Sequence, residues 1–143
     1  MKKKHILLII LLIAIDQIIK YFVALNNTNL SLNLIEINYT ENTGMAYGIF
    51  NNSLMLIILS NIAIIAAILA YLVLRKNKSN LTINGMALIL AGGISNLIDR
   101  IMRGFVIDYI DINNIINFPV FNISDICITI GVIFLVFAIM IKY

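Results

Sequence analysis

The sequence predicts an all-α membrane protein: four transmembrane helices, with a small β-structured segment against one membrane face. Three observations predict it. Of the 143 residues, 62% are hydrophobic and only 12% charged, with a mean hydropathy of +1.02, far from the composition of soluble globular domains. The apolar residues fall into four long runs without alternation, as membrane-spanning helices require and a transmembrane barrel does not. Lysines and arginines gather at the ends of those runs, the pattern of cytoplasmic loops, so the net charge of +3 is no nucleic-acid footprint. At this length the chain reads as a single domain, residues 1–143.

The first span covers residues 6–25. Behind K-K-K-H it begins like a signal peptide, but the apolar run continues past Asp16 to Leu25 and no A-x-A-like site follows, which predicts an uncleaved helix. About 20 residues at ~1.5 Å each match the ~30 Å of a bilayer core. Asp16 and Lys20 lie i,i+4 on one face. Either they form an internal pair that eases insertion, with Lys20 snorkelling to the interface, or this face points at a site built by other segments.

Residues 26–53 are extramembrane. S-L-N-L-I-E-I-N-Y at 31–39 alternates as short strands do, and Gly44 and Gly48 mark tight turns or close backbone approach. The second span, 54–74, carries Ala63 with Ala67 and Ala66 with Ala70, a spacing that permits close helix–helix approach in lipid. After the basic R-K-N-K loop at 75–78, the third span, 81–101, carries another small-residue stripe, Ala87, Ala91 and Ser95. The connection 102–121 is extramembrane again, and the fourth span covers 123–141. With K-K-K, R-K-N-K and Lys142 all cytoplasmic, both termini lie inside and segments 26–53 and 102–121 share the outer side. Asp16, Asp99 and Asp125 then converge at one depth.

The stretch 96–125 holds four of the five aspartates (Asp99, Asp108, Asp111 and Asp125) and the only proline. Carboxylates beside hydrocarbon are costly, so they mark a functional site by default. Structural readings compete. Asp125 suits position N3 of the last helix with Asn122 as N-cap, and Asp108 and Asp111 suit solvated positions. If Asp108 and Asp125 instead face each other, they share one proton in a low-dielectric site. Such a dyad deprotonates water with one member and protonates an amide leaving group with the other. Spacing alone does not decide whether the two side chains meet. His5, the only histidine, sits among the N-terminal lysines, and Cys127, the only cysteine, lies in an apolar run. Neither a metal site nor a Cys–His pair assembles from them.

Five ordered patches, D-Q-I-I-K (16–20), N-T-G-M-A-Y-G (42–48), G-G-I-S-N-L-I-D-R (92–100), G-F-V-I-D-Y (104–109) and F-P-V-F-N-I-S-D (118–125), resemble the bacterial lipoprotein signal peptidases (signal peptidase II) over nearly the whole chain. The resemblance implies a cofactor-free membrane aspartyl endopeptidase that removes signal peptides from diacylglyceryl-modified prolipoproteins, cutting just before the lipidated cysteine. It implies Asp108 and Asp125 as the catalytic pair, supported by Asp16, Lys20, Asn42, Gly44, Asn96, Asp99, Arg100, Asn122 and Ser124. In that picture Arg100, Asn42, Asn96 and Asn122 orient the substrate, Asp99 anchors Arg100, and Asp16 with Lys20 buttresses the site. To the four helices the family's fold adds a small extracytoplasmic β-cradle and a short interfacial helix.

The expected partners are lipid-modified prolipoproteins and membrane lipid, with no nucleic acid. The expected enzyme is a monomer in the bacterial cell membrane, both termini cytoplasmic, its active site towards the outer face. The chain departs from the family's usual residues at Met45 and Tyr47, at Ser95 (usually Gly), at Tyr109 (usually Phe) and at Ser124 (usually Ala). These departures bear on pocket shape and substrate preference. The rival readings are a small proton-coupled transporter, which predicts inverted repeats and broken helices at the midplane, a non-catalytic scaffold, and a lipid phosphotransferase, which would cluster its aspartates on one helix.

Overall fold

The computed structural model describes residues 2–44 and 53–141. In chain order the elements are α1 (Lys3–Asn26), β1 (Asn29–Leu32), β2 (Ile35–Asn42), α2 (Leu54–Leu74), α3 (Asn80–Arg103), β3 (Val106–Asp111) and α4 (Ile123–Met140). All four helices are long and apolar enough to cross a membrane, and they coincide with the four expected spans. α1 and α3 run two or three residues past the apolar stretches because polar residues finish their ends. Ser79 caps α3 by accepting from the Thr82 N–H. At its other end Arg100 and Arg103 complement the helix dipole, and Gly104, at φ 84°, takes the left-handed stop.

α3 is the axis of the bundle. Half of its apolar stretch is buried, against 22%, 11% and 17% for α1, α2 and α4, and it packs on each of the other helices and on β3. The stripe Ala87, Ala91 and Ser95 is buried in it, as its spacing predicted. On the α4 side the two backbones touch. A Cβ added at Gly131 would lie 2.6 Å from the Gly85 carbonyl oxygen, and one added at Gly92 would collide with the Ser124 carbonyl. Lipid offers no hydrophobic drive between helices, so such close backbone approach is what holds them together.

The alanine pairs of α2 do not serve this purpose. Ala63, Ala66, Ala67 and Ala70 are all exposed. α2 meets α3 through one narrow stripe, Ile57, Asn61, Ile65, Ile68 and Leu72, whose steps of four, four, three and four residues define a single face. The alanines lie off that face. Outside the helices' contacts the surface is hydrocarbon, from Leu7 and Met55 (both 67% exposed) to Val73 (80%). In water this would be an aggregation hazard; in a bilayer it is the solvated surface.

The strands form one antiparallel sheet in the order β1-β2-β3, so the two expected extramembrane segments meet at one end of the bundle. β1 and β2 are joined by Asn33 and Leu34, with Asn33 in the left-handed region at φ 65°. A bulge between Ile37 and Thr40 shifts the β2–β3 register so that Thr40 faces Asp108. Beyond β3 the chain folds back. The Phe121 N–H donates to the Ile110 carbonyl, and the Phe121 carbonyl accepts from the Tyr109 and Ile110 N–H groups. That return sets Asn122 and the start of α4 beside β3. No fifth, short helix occurs among the described residues, and positions 45–52 lie outside them.

Gly92→Ala is expected to lower the thermal unfolding temperature in detergent, with the ~1–3 kcal/mol cost typical of overpacking. Gly93→Ala should equal or exceed the parent, because its new Cβ meets nothing closer than Asn61 Oδ1 at 3.5 Å. Equal unfolding temperatures for the two variants would contradict the α3–α4 backbone contact.

Candidate active site

Asp108 lies in the middle of β3 and Asp125 in the first turn of α4. The local sequence dictates the second placement. Asn122 is the N-cap of α4 and accepts from the Asp125 N–H at 2.9 Å, while Asp125 Oδ2 accepts from the Asn122 N–H at 3.2 Å. This is a reciprocal capping box. The capping role expected for Asp125 is therefore real, and it does not compete with a site role, because Asp125 Oδ1 is left to accept from Asn96 Nδ2 at 2.9 Å.

Asn122 also joins the two aspartates. Its Nδ2 donates to Asp108 Oδ1 at 2.6 Å while its Oδ1 caps the helix. The other Asp108 oxygen accepts from Asn42 Nδ2 at 2.8 Å. Asn42 is held in that orientation because its Oδ1 accepts from the Gly44 N–H. Asp108 is 2% exposed, and its pKa is pushed up to about 7. Burial is the main cause and the Asp125 charge the next, opposed by the hydrogen bonds from Asn42 and Asn122 and by the Lys20 charge. Both aspartates line one cavity of about 890 Å³. Asn42 and Arg100 are among its polar lining residues; Ile112, Phe118, Phe121, Ile126 and Ile130 supply much of the apolar wall.

Behind the aspartates lies a buried charge cluster. Lys20 Nζ donates to Asp16 Oδ2 (2.8 Å), Asp99 Oδ2 (2.9 Å) and Asn96 Oδ1 (2.8 Å). Three acceptors match the three protons of an ammonium, so the side chain, 0% exposed, does not snorkel outward. Both readings of the Asp16–Lys20 face hold in part: the internal pair forms, and the same face points at the other segments rather than sending Lys20 to the interface.

Asp99 does not anchor Arg100. Consecutive residues of a helix point about 100° apart and do not face each other. Asp99 turns inward to Lys20, Gln17 (3.2 Å), Arg103 Nε (3.3 Å) and the Ile107 N–H. Arg100 turns to the cavity, where Nη2 donates to the Gly44 carbonyl at 3.0 Å and Nε is buried with no partner among the described residues.

Asp111 ends β3 at the surface. It accepts from Asn38 and from both N–H groups of Asn113, whose backbone N–H chiefly holds its carboxyl below the usual range. It is a turn-forming carboxylate with no part in the cavity. Met45 and Tyr47, two of the departures, lie outside the described residues.

Three contributors were not expected from the sequence. Gln17 donates to Ser95 and Asp99. Arg103 pairs with Asp99, which its i+4 spacing would have shown. The third is a pair of hydroxyls on Asp16, Ser95 Oγ at 2.7 Å on Oδ2 and Tyr109 Oη at 3.1 Å on Oδ1, beside the expected Ser124, whose Oγ donates to Oδ2 at 2.6 Å. Burial, and then the Asp16 charge, push the Tyr109 phenol above its ordinary pKa, so it stays a donor.

Known proteins are similar to this chain over most of its length. A sequence profile described as Signal peptidase (SPase) II matches residues 8–141. A lipoprotein signal peptidase of Clostridioides difficile is 36% identical over 137 residues, covering 92% of this chain and 90% of that protein. One of Streptococcus pneumoniae is 32% identical over 145 residues, covering 96% and 94%. Two solved bacterial membrane enzymes, both determined by the in meso method, superpose with TM-scores of 0.89 and 0.85 at 29% identity. They cover 96% and 95% of this chain and 87% and 92% of their own. By sequence over its full span and by fold, the chain belongs to the signal peptidase II family of multi-pass membrane peptidases.

Proposed function

We propose that this chain is an aspartyl endopeptidase that removes signal peptides from diacylglyceryl-modified prolipoproteins, cutting just before the lipidated cysteine. One observation carries the reading: two aspartates from different elements, held by opposite ends of the Asn122 side chain, open onto one largely apolar cavity. With one carboxyl ionised and one protonated, the ionised member takes a proton from water as its oxygen attacks the scissile carbonyl carbon. The protonated member then gives its proton to the amide nitrogen as the C–N bond breaks, and the dyad ends with one proton again. The shared proton is a property of the pair, and no cofactor enters the scheme.

Arg100, which lines the cavity and whose buried Nε has no hydrogen-bond partner among the described residues, and Asn42 provide donors to orient the substrate backbone. The wall of isoleucine and phenylalanine suits the signal helix and the acyl chains. The N-terminus of α1 and the α2–α3 loop, both lysine-bearing, lie at the end of the bundle away from the dyad. That separation supports cytoplasmic termini and a site towards the outer face of the cell membrane.

Asp108→Asn and Asp125→Asn should each reduce processing of a lipidated precursor by at least ~10²-fold, the lower end of acid–base contributions, while the protein still inserts. Processing retained by either variant would sink the dyad. A carboxyl pKa raised to about 7 means that the proton is present below that pH and lost above it, so activity should fall as pH rises through about 7. The same sign applies to stability. The folded state holds this proton more tightly than an unfolded aspartate, near ~3.9, so Asp108 contributes stability at low pH that is lost as pH rises from ~4 through about 7. Asp108→Asn should flatten that decline in unfolding temperature, and an unchanged slope would count against the shift.

A further inference from the structure

Each dyad aspartate is adjacent in sequence to a residue whose hydroxyl grips Asp16. Tyr109 follows Asp108 and Ser124 precedes Asp125, and their oxygens meet the two carboxylate oxygens of Asp16 at 3.1 and 2.6 Å. Ser95, on α3, adds a third hydroxyl at 2.7 Å. Tyr109 Oη also accepts from the Ile123 N–H, so the first turn of α4 is tied to Asp16 at two consecutive residues. Along a strand successive side chains point to opposite faces, which lets Asp108 reach the cavity while Tyr109 reaches back into the bundle. The carboxylate of Asp16 is thus a single group on α1 to which a sequence neighbour of each aspartate is attached.

We infer that Ser95, Tyr109 and Ser124 are positioning residues that use Asp16 as a shared anchor to fix Asp108 and Asp125 relative to each other. The inference rests on the dyad proposed above. The same carboxylate also aims the dyad's hydrogen bonds: Asp16 Oδ2 holds Lys20 at 2.8 Å, Lys20 holds Asn96 Oδ1 at 2.8 Å, and the Asn96 amide donates to Asp125 at 2.9 Å.

Removing a hydroxyl has two consequences. The backbone beside an aspartate is freed from the anchor, and displacement of reacting groups by about an ångström is costly in rate. Lys20, sharing Asp16 with fewer donors, is drawn off Asn96. The Asn96 amide is then no longer held on Asp125, and a carboxylate with fewer donors keeps a proton to higher pH. The titratable and charged groups that face this network are Asp16 and Lys20 from α1, Glu41 from β2, Asp99, Arg100 and Arg103 from α3, Tyr109 from β3 beside Asp108, and Cys127 from α4 beside Asp125. Only the hydroxyls change in the test.

Tyr109→Phe, Ser124→Ala and Ser95→Ala each remove one oxygen. They are assayed singly, together with the Tyr109→Phe/Ser124→Ala double variant, on a synthetic diacylglyceryl-modified precursor peptide across pH. Each single variant should lower kcat by about 10-fold and the double by ~100-fold or more, with KM within about twofold. The pH at which activity is half lost on the alkaline side should rise by about half a unit. Wild-type kcat and an unmoved alkaline limb would overturn the anchor, and so would a loss that tracks only KM or unfolding temperature. Should the double variant fail to insert, Tyr109→Phe alone decides, since it removes one oxygen and keeps the buried ring. Asp108→Asn runs in parallel. Activity in that variant would defeat the dyad itself, whereas an inactive Asp108→Asn beside unaffected hydroxyl variants would defeat only the anchor.

Discussion

The buried ammonium of Lys20 is the constraint on which the rest of the structure depends. A cation enclosed by apolar helices is stable only if its charge is compensated and each of its protons has an acceptor. Asp16, Asp99 and Asn96 meet that condition at 2.8–2.9 Å. They come from α1 and α3, so satisfying Lys20 fixes the rotation and height of these two helices together. Asp99 then reaches the Ile107 N–H, which brings β3 to the same place, and Asn96 reaches Asp125, which brings α4. A single desolvated charge thereby sets the geometry of four elements. Removing one partner would leave the others costly and unpaired, which ordinarily costs more than the intact cluster gains.

Much of the architecture was legible because hydropathy sums over about 20 residues and tolerates local error. The spans, the strand-like alternation near residues 31–39 and the shared depth of Asp16, Asp99 and Asp125 all rest on such sums. The placement of Asp108 and Asp125 on one cavity was not legible from spacing. It depends on the Phe121 backbone returning to pair with Ile110, a long-range event that leaves no periodic trace. Helix direction decides two places: Asp99 and Arg100, as neighbours, diverge, and the alanines of α2 lie off the stripe through Ile57, Asn61 and Leu72. In the sequence Ser95 shows itself as a small residue and a departure from the resembled family's pattern. Its hydroxyl acquires meaning once the first helix is seen to present Asp16 to it.

The glycines of α3 and α4 solve a different problem from the polar cluster. Polar groups specify which faces meet but do not bring helices close, and a capping box at the start of α4 is useful to the site only if that helix begins within reach of Asn96. The backbone contacts of Gly85 with Gly131 and of Gly92 with Ser124 set that distance. Polar matching and close approach act at the same end of the bundle, because Ser124 takes part in both.

The i,i+4 spacing of Asp16 and Lys20 carries a consequence for biogenesis. α1 is synthesised well before Ser95, Tyr109, Ser124 and Asp99, its later partners in the bundle, and a lone charge on that helix would oppose entry into lipid. Because acid and base sit one turn apart on the same helix, the segment carries its own counterion and can enter the membrane as a neutral unit. When α3, β3 and α4 arrive, the pair has only to exchange part of its mutual bonding for theirs. Membrane entry thus requires no partner from the later segments, and the same two residues become the foundation of the finished site.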